Sequence, residues 1–444
     1  MVCDFKLNNP LARAAVFLCL LAGCGCLLLF VAFHFVTRSL TDLRVPANRE
    51  ALELAAAYFP GSPRINARLG EAELNLVEDR EAALAQADSH LARAIIESPF
   101  EYNFRLLQAS VREARGDRAG AEQSLRTAVA LAPGHTDTHW RLANLLVRAG
   151  KADQAIEEFR IATASRPLLL PGAFELVWNV SRGSVEKVSA LVGKEALPQL
   201  ALAHFLLRKS KADEAVSLFS RTEPKARLAS PDAATLSAAF ISALIEAGRG
   251  GVAQKIWLET LGFNSDEWHL LLCDGSFEDE IPAWFDQFAW HLGRSEYARI
   301  GVSQSDDVAT REARTGNKSL RIDFAGRDTT KLSGEITHLI PVEPGAQYHL
   351  ECYARTQKLE TPEGPRVAVL NGSESVAESA PVAAGSHDWQ RVEFDFTAPV
   401  NARSLQVSIR RIPKFSYDDP SRGTVWFDDF KVYPRGGAGG GKTR

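Results

Sequence analysis

ASVREARGDRAGAEQSLRTAVALAPGHTDTHWRLANLLVRAGKADQAIEEFRIATASRP, residues 109–167, carries one pattern twice. Ala109, Gly116, Ala121, Leu125, Ala128 and Pro133 recur 34 residues later as Ala143, Gly150, Ala155, Phe159, Ala162 and Pro167. The apolar residues between these marks fall at helical spacing, so each unit predicts two helices. Alanines at Ala109, Ala121, Ala143 and Ala155 let the helices of a pair approach closely, and Leu125 and Phe159 fill the space between them. Gly116 and Gly150 supply the turn inside each pair, while Pro133 and Pro167 stop the second helix. Moving the frame backwards gives Ala87, Leu91, Ala94 and Pro99.

A helix-turn-helix period of 34 residues resembles that of tetratricopeptide repeats, most closely over residues 68–167. A partial match widens the helical region to 45–262: Leu52, Ala55 and Pro60 before it, then Leu202, Ala203, Leu206, Ala215 and Phe219, then Phe240, Gly248, Ala253 and Trp257. Residues 168–200 fit badly, so irregular stacking is expected there. Five or six helical pairs in a solenoid are expected in all. Stacked pairs expose a concave face lined by the first helix of each pair. In the resembled family that face holds peptides or protein partners, which points to Asn103, Ser110 and Glu113 in one unit and Asp137, Asn144 and Arg148 in the next. The competing reading is an ordinary solvated helix face.

From Asp274 the period changes from 3.6 to 2. LRIDF (320–324), VEFDF (392–396) and LQVSI (405–409) alternate apolar and polar residues, as half-buried strands do. Turn signals at 342–345 and 364–365 separate them, so residues 274–434 are expected to form an all-β antiparallel sandwich. The segments DGSFE (274–278), TGNKSL (315–320), PGAQY (344–348), Trp389 with Val392, and VWFDDF (425–430) resemble bacterial carbohydrate-binding modules of the galactose-binding-like jelly-roll fold. Sugars stack their apolar faces on aromatic rings, and the candidates are Trp290, Tyr353, Phe415 and Tyr417; core packing is the alternative for each. The resemblance also implies a structural calcium ion held by Glu278, Asp428 and Asp429, carboxylates suiting so hard a cation.

The N-terminus is apolar from Ala14 to Val36, 23 residues that at ~1.5 Å each reach roughly 35 Å, enough to cross a membrane. Leu21-Ala22-Gly23-Cys24 spells a lipobox, the lipidation site of a bacterial lipoprotein. The apolar run continues past Cys24, however, which favours an uncleaved signal anchor at 14–36 following a short segment, 1–13. A linker is expected at 263–273 and a disordered Gly-rich tail at 435–444. That tail formally matches GxxxxGK[ST], but a phosphate cradle needs a strand before it and a helix after it.

A net charge of −4 and the absence of a basic stripe argue against nucleic acid as a partner. Of six cysteines only Cys273 and Cys352 fall in the soluble part, open to one bridge but read as two buried thiols. With no catalytic motif recognisable, no enzymatic activity is expected. The chain thus reads as a multidomain protein: one transmembrane helix, an all-α tetratricopeptide-type solenoid, and a jelly-roll sandwich. Its expected place is the bacterial inner membrane with the bulk periplasmic. There it would act as a scaffold in exopolysaccharide or envelope glycan assembly, binding proteins and a polysaccharide. The alternative is a purely structural scaffold with a sandwich that binds no sugar.

Overall fold

The computed structural model describes residues 10–40, 48–77, 79–263, 271–304 and 312–435. Residues 1–9 of the expected N-terminal segment, 264–270 of the expected linker and 436–444 of the tail lie outside the described residues. The chain divides into two compact units, 1–192 and 193–444.

The first unit is all helix. It comprises α1 (Pro10–Leu40), α2 (Arg49–Tyr58), α3 (Pro63–Leu74), α4 (Arg80–Glu97), α5 (Tyr102–Ala114), α6 (Arg118–Leu131), α7 (Thr136–Arg148), α8 (Ala152–Ser165), α9 (Leu170–Val180) and α10 (Val185–Ser189). In α1, residues 14–32 have a mean hydropathy of 2.7, long and apolar enough to cross a membrane, and Phe17, Leu20, Leu28 and Leu29 are exposed. The pairs α3/α4, α5/α6 and α7/α8 obey the repeat. Ala121, Ala143, Ala155 and Phe159 are fully buried and Ala109 and Leu125 nearly so, as the spacing requires. Gly116 and Gly150 take φ of +82° and +73°, the left-handed turn that glycine adopts without strain. The next amides along, Asp117 N–H and Lys151 N–H, donate back to Arg112 O and Leu146 O at 2.9 Å, closing α5 and α7 with a Schellman turn. The badly fitting stretch becomes a 3₁₀ turn (Pro167–Leu169), α9 and the five-residue α10, an abbreviated pair.

The second unit opens with α11 (Ala196–Arg208), α12 (Ala212–Arg221), α13 (Pro224–Arg227), α14 (Pro231–Glu246) and α15 (Gly250–Leu261). Phe219 and Phe240 stack at 4.3 Å between α12 and α14. The sandwich comes next: β1 (His291–Leu292), β2 (Ala298–Gln304), β3 (Lys318–Ala325), β4 (Ile336–Pro341), β5 (Gln347–Glu360), β6 (Arg366–Asn371), β7 (Glu374–Glu378), β8 (Gly385–Thr397), β9 (Ser404–Arg410) and β10 (Arg422–Pro434). Two antiparallel five-stranded sheets, in the orders β1-β4-β9-β6-β7 and β2-β3-β10-β5-β8, enclose Leu320, Ile322, Leu350, Val367, Val407 and Phe427. Alternation along β5 buries Tyr348, Leu350, Cys352 and Ala354 and turns His349, Glu351, Tyr353 and Arg355 outward.

The last described residues of the expected linker are not a spacer. Leu272 is buried in the sandwich core, and Leu271 N–H donates to Val432 O at 3.0 Å. Helix α15 is joined to the sandwich by the fully buried Trp257, whose Nε1–H donates to Phe285 O at 2.8 Å. Cys273 and Cys352 are not bridged to one another; Cys352 is buried as expected, whereas Cys273 is only half-buried.

Candidate partner groove and sugar-facing loop

The first helices of three successive pairs, α3, α5 and α7, line two adjoining clefts in the first unit. One, of 460 Å³, is bounded by Arg64, Arg68, Glu101, Asn103, Phe104 and Arg141. The other, of 270 Å³, is bounded by Ser110, Glu113, Trp140, Arg141, Asn144 and Arg148. Five of the six groove residues expected from the repeat are therefore gathered here. Asp137 is not among the residues lining either cleft: it sits in the first turn of α7 and pairs with Arg166 at 3.4 Å.

Arg141, which the repeat positions did not single out, belongs to both clefts and donates from Nη1 to Ser110 Oγ at 3.3 Å. Its signal was present, since Asp137, Arg141, Asn144 and Arg148 succeed one another at spacings of 4, 3 and 4 along one helix face. The acids of the groove are largely engaged: Glu71 with Arg68, Glu113 with Arg148, and Glu101 with the Asn103 amide at 2.9 Å. Among the described residues no carboxylate pairs with Arg64 or Arg141. The groove therefore presents positive charge above an apolar floor of Phe104, Leu106 and Leu107.

The four aromatic candidates of the sandwich separate. Trp290 is half-buried and packs against the edge of the core: it meets Phe277 and Phe430 at ring distances of 5.2 and 4.8 Å, and its Nε1–H donates to Asp274 O at 3.1 Å. Two rings and a hydrogen bond hold its indole against the core. Tyr353 points outward, but the Arg314 guanidinium lies 3.5 Å over its ring. Phe415 and Tyr417, 53% and 76% exposed, share the loop between β9 and β10 with the exposed Ile412.

That loop is fastened from below. Arg411 and Asp419 form a fully buried ion pair, and Asp419 Oδ2 also accepts the N–H groups of Lys414 and Phe415 at 2.5 and 2.8 Å. Arg411 Nη1 donates to Thr330 O at 2.6 Å. So anchored, Asp419 is a structural counter-ion, and the loop carries its two aromatic side chains on a held backbone.

The three carboxylates expected to hold calcium clasp the 314–318 segment instead. Glu278 Oε1 accepts from Asn317 N–H and Lys318 N–H at 2.7 and 2.6 Å, and Lys318 Nζ donates to Glu278 O at 3.0 Å. Asp428 Oδ2 accepts from Arg314 N–H and Thr315 N–H at 2.7 and 3.2 Å, and Asp429 takes the Arg314 guanidinium and the Thr315 hydroxyl, both at 2.5 Å. Burial pushes the Asp428 carboxyl up to about 6. The carboxylate oxygens are taken by N–H and O–H donors and by the Arg314 guanidinium, and the three side chains do not bring their ligand atoms within 4.8 Å of one another. The expected calcium does not fit this arrangement.

Comparison with known proteins places residues 113–168 in a match to the tetratricopeptide repeat family model. No curated protein matches the chain. Among solved structures, a CBM4 carbohydrate-binding module is 18% identical with a TM-score of 0.27, covering 37% of this chain and 99% of that one. MamA is 16% identical with a TM-score of 0.28, covering 39% and 82%. A thermophilic tetratricopeptide repeat protein of Thermus thermophilus is 25% identical with a TM-score of 0.26, covering 30% and 70%. The segment from the end of α5 to the turn after α8 is thus of tetratricopeptide repeat type.

Proposed function

We propose that this chain is a non-catalytic adaptor of a bacterial envelope, held at the inner membrane by α1 with its bulk outside the cytoplasm. In this reading its α3–α5–α7 groove takes an extended, acidic segment of a protein partner, and the loop bearing Phe415 and Tyr417 engages a polysaccharide during glycan assembly or export. The observation that carries it is the groove: among the described residues Arg64 and Arg141 have no carboxylate partner, and they stand over an apolar floor, which suits a peptide bearing both acidic and apolar side chains.

The test is a pull-down of envelope proteins and a glycan array, both with the full chain in detergent. Arg141→Ala is expected to lose the protein partner and keep the glycan, and Phe415→Ala with Tyr417→Ala to do the reverse. Capture of neither ligand by the parent chain overturns the reading. A second reading, a scaffold whose sandwich binds no sugar, is favoured by the packing of Trp290 against the core and the covered ring of Tyr353. It is supported if the array stays silent while the protein partner is captured.

A further inference from the structure

On the outer face of β5 and β8 three ligating side chains converge that neither the groove nor the aromatic loop uses. The register pairs His349 with Asp395, Glu351 with Glu393 and Tyr353 with Arg391. Across His349, Glu351 and Glu393, one ligand atom from each lies within 4.8 Å of the others. The imidazole is oriented: Nδ1 faces Asp395 Oδ1 at 2.8 Å, and Nε2 faces Glu393 Oε2 at 3.4 Å. When Nδ1–H donates to Asp395, the Nε2 lone pair is left facing Glu393 Oε2, where a cation bound between them would be ligated by both. A carboxylate behind the imidazole is also how metal-binding histidines are held. Glu351 and Glu393 are like charges directly opposite one another, which in adjacent strands is unfavourable until a cation intervenes.

We propose that His349, Glu351 and Glu393 form a site for a divalent transition metal ion of the zinc class, with Asp395 as the group that orients the imidazole. One nitrogen and two carboxylate oxygens suit zinc, leaving a further position for water or a ligand. Bonds of ~2.1 Å at the tetrahedral angle hold ligand atoms about 3.4 Å apart, so from separations of up to 4.8 Å the side chains close by rotamer adjustment as the ion enters. The scaffold is firm, since His349 and Glu351 are 16% and 14% exposed and Tyr433 lies 5.2 Å from the imidazole. The cation now between the glutamates is Arg391, whose Nη2 contacts Glu351 and lies 3.0 Å from Glu393. Half-exposed, it is free to swing into solvent as the metal enters.

The test is calorimetric titration of the full chain, stripped with a chelator and dialysed free of it, with zinc chloride. X-ray absorption then reads the donor set. Saturation at one ion per chain is expected, with a shell of nitrogen and oxygen donors. His349→Ala should weaken binding by ~100-fold and Asp395→Asn by ~10–100-fold. Arg391→Ala, which leaves every ligand in place and removes the competing cation, should tighten binding several-fold. Absence of saturable binding in both the parent chain and Arg391→Ala, a sulfur-dominated shell, or affinity unchanged in His349→Ala each overturns the site.

Discussion

The imidazole of His338 is fully buried, its Nε2 3.0 Å from Cys273 O and its ring 5.1 Å from that of Trp290. Burial pushes its pKa down to about 4, so the folded chain keeps it neutral where the unfolded chain, near 6.5, takes a proton. Stability is therefore unaffected by this group above pH 6.5 and falls as the pH drops from 6.5 to 4, by roughly 3 kcal/mol. His338→Gln should flatten that part of the acid limb, measured as the difference between variant and parent in denaturant midpoints from pH 7 to 4. A second buried group makes the opposite point. Asp419→Ala leaves the Arg411 guanidinium charged and unpaired in the core, a change that costs about 3–5 kcal/mol. It should lower the thermal midpoint of the sandwich and release the loop carrying Phe415 and Tyr417, seen as faster amide exchange in residues 412–418. Neither role could be read from the sequence. Nothing local distinguishes His338 from an exposed strand histidine, and Asp419 looks the same as its neighbour Asp418 until the fold brings Arg411 against one of them. Trp290 illustrates the same limit, because a tryptophan before a strand is equally a platform or a core residue until its neighbours are known.

At the scale of the helical pair the sequence is much more informative, because each repeat states its own packing. The alanines that let helices approach, the glycines at positive φ and the prolines that end each unit are local requirements, so the 34-residue period placed α5 to α8 directly. Legibility falls where packing stops being periodic. The abbreviated pair α9/α10 and the inclusion of α11 to α15 in the same compact unit as the sandwich depend on contacts made far along the chain, such as Trp257 with Phe285. Repeat position places Asn103, Ser110, Glu113, Asn144 and Arg148 along the two clefts, whereas Asp137 lines neither and pairs with Arg166, 29 residues away. The periodic core makes a sharp prediction. Phe159 is fully buried in α8 and meets the Trp140 ring at 4.9 Å. Phe159→Ala should cost about 3–5 kcal/mol. Amide exchange should accelerate in α7 and α8 while the strands of the sandwich, in the other unit, keep their protection. Equal acceleration in both units would show that they unfold together.

For the molecule as a whole the deciding element is α1, whose apolar stretch is long enough to cross a membrane. An anchor and a signal sequence share the apolar stretch 14–32, but they differ in the residues beyond the lipobox. Here the helix runs on without a break to Leu40, and the exposed residues after Cys24 remain apolar at Leu27, Leu28, Leu29, Phe30 and Val31. A lipidated chain would leave Cys24 through a polar tether, whereas these side chains gain about 25 cal/mol for each Å² that a hydrocarbon layer removes from water. The expected outcome is a chain that stays in the membrane fraction after an alkaline carbonate wash, keeps its residues before Cys24 by mass spectrometry, and carries no acyl chain. Leu28→Arg with Phe30→Arg should then release it, since each arginine at mid-membrane costs about 2.5–3.5 kcal/mol, while Cys24→Ser leaves it in place. A chain beginning at an acylated Cys24, released by Cys24→Ser, would instead make 1–23 a leader and transfer the anchoring to lipid.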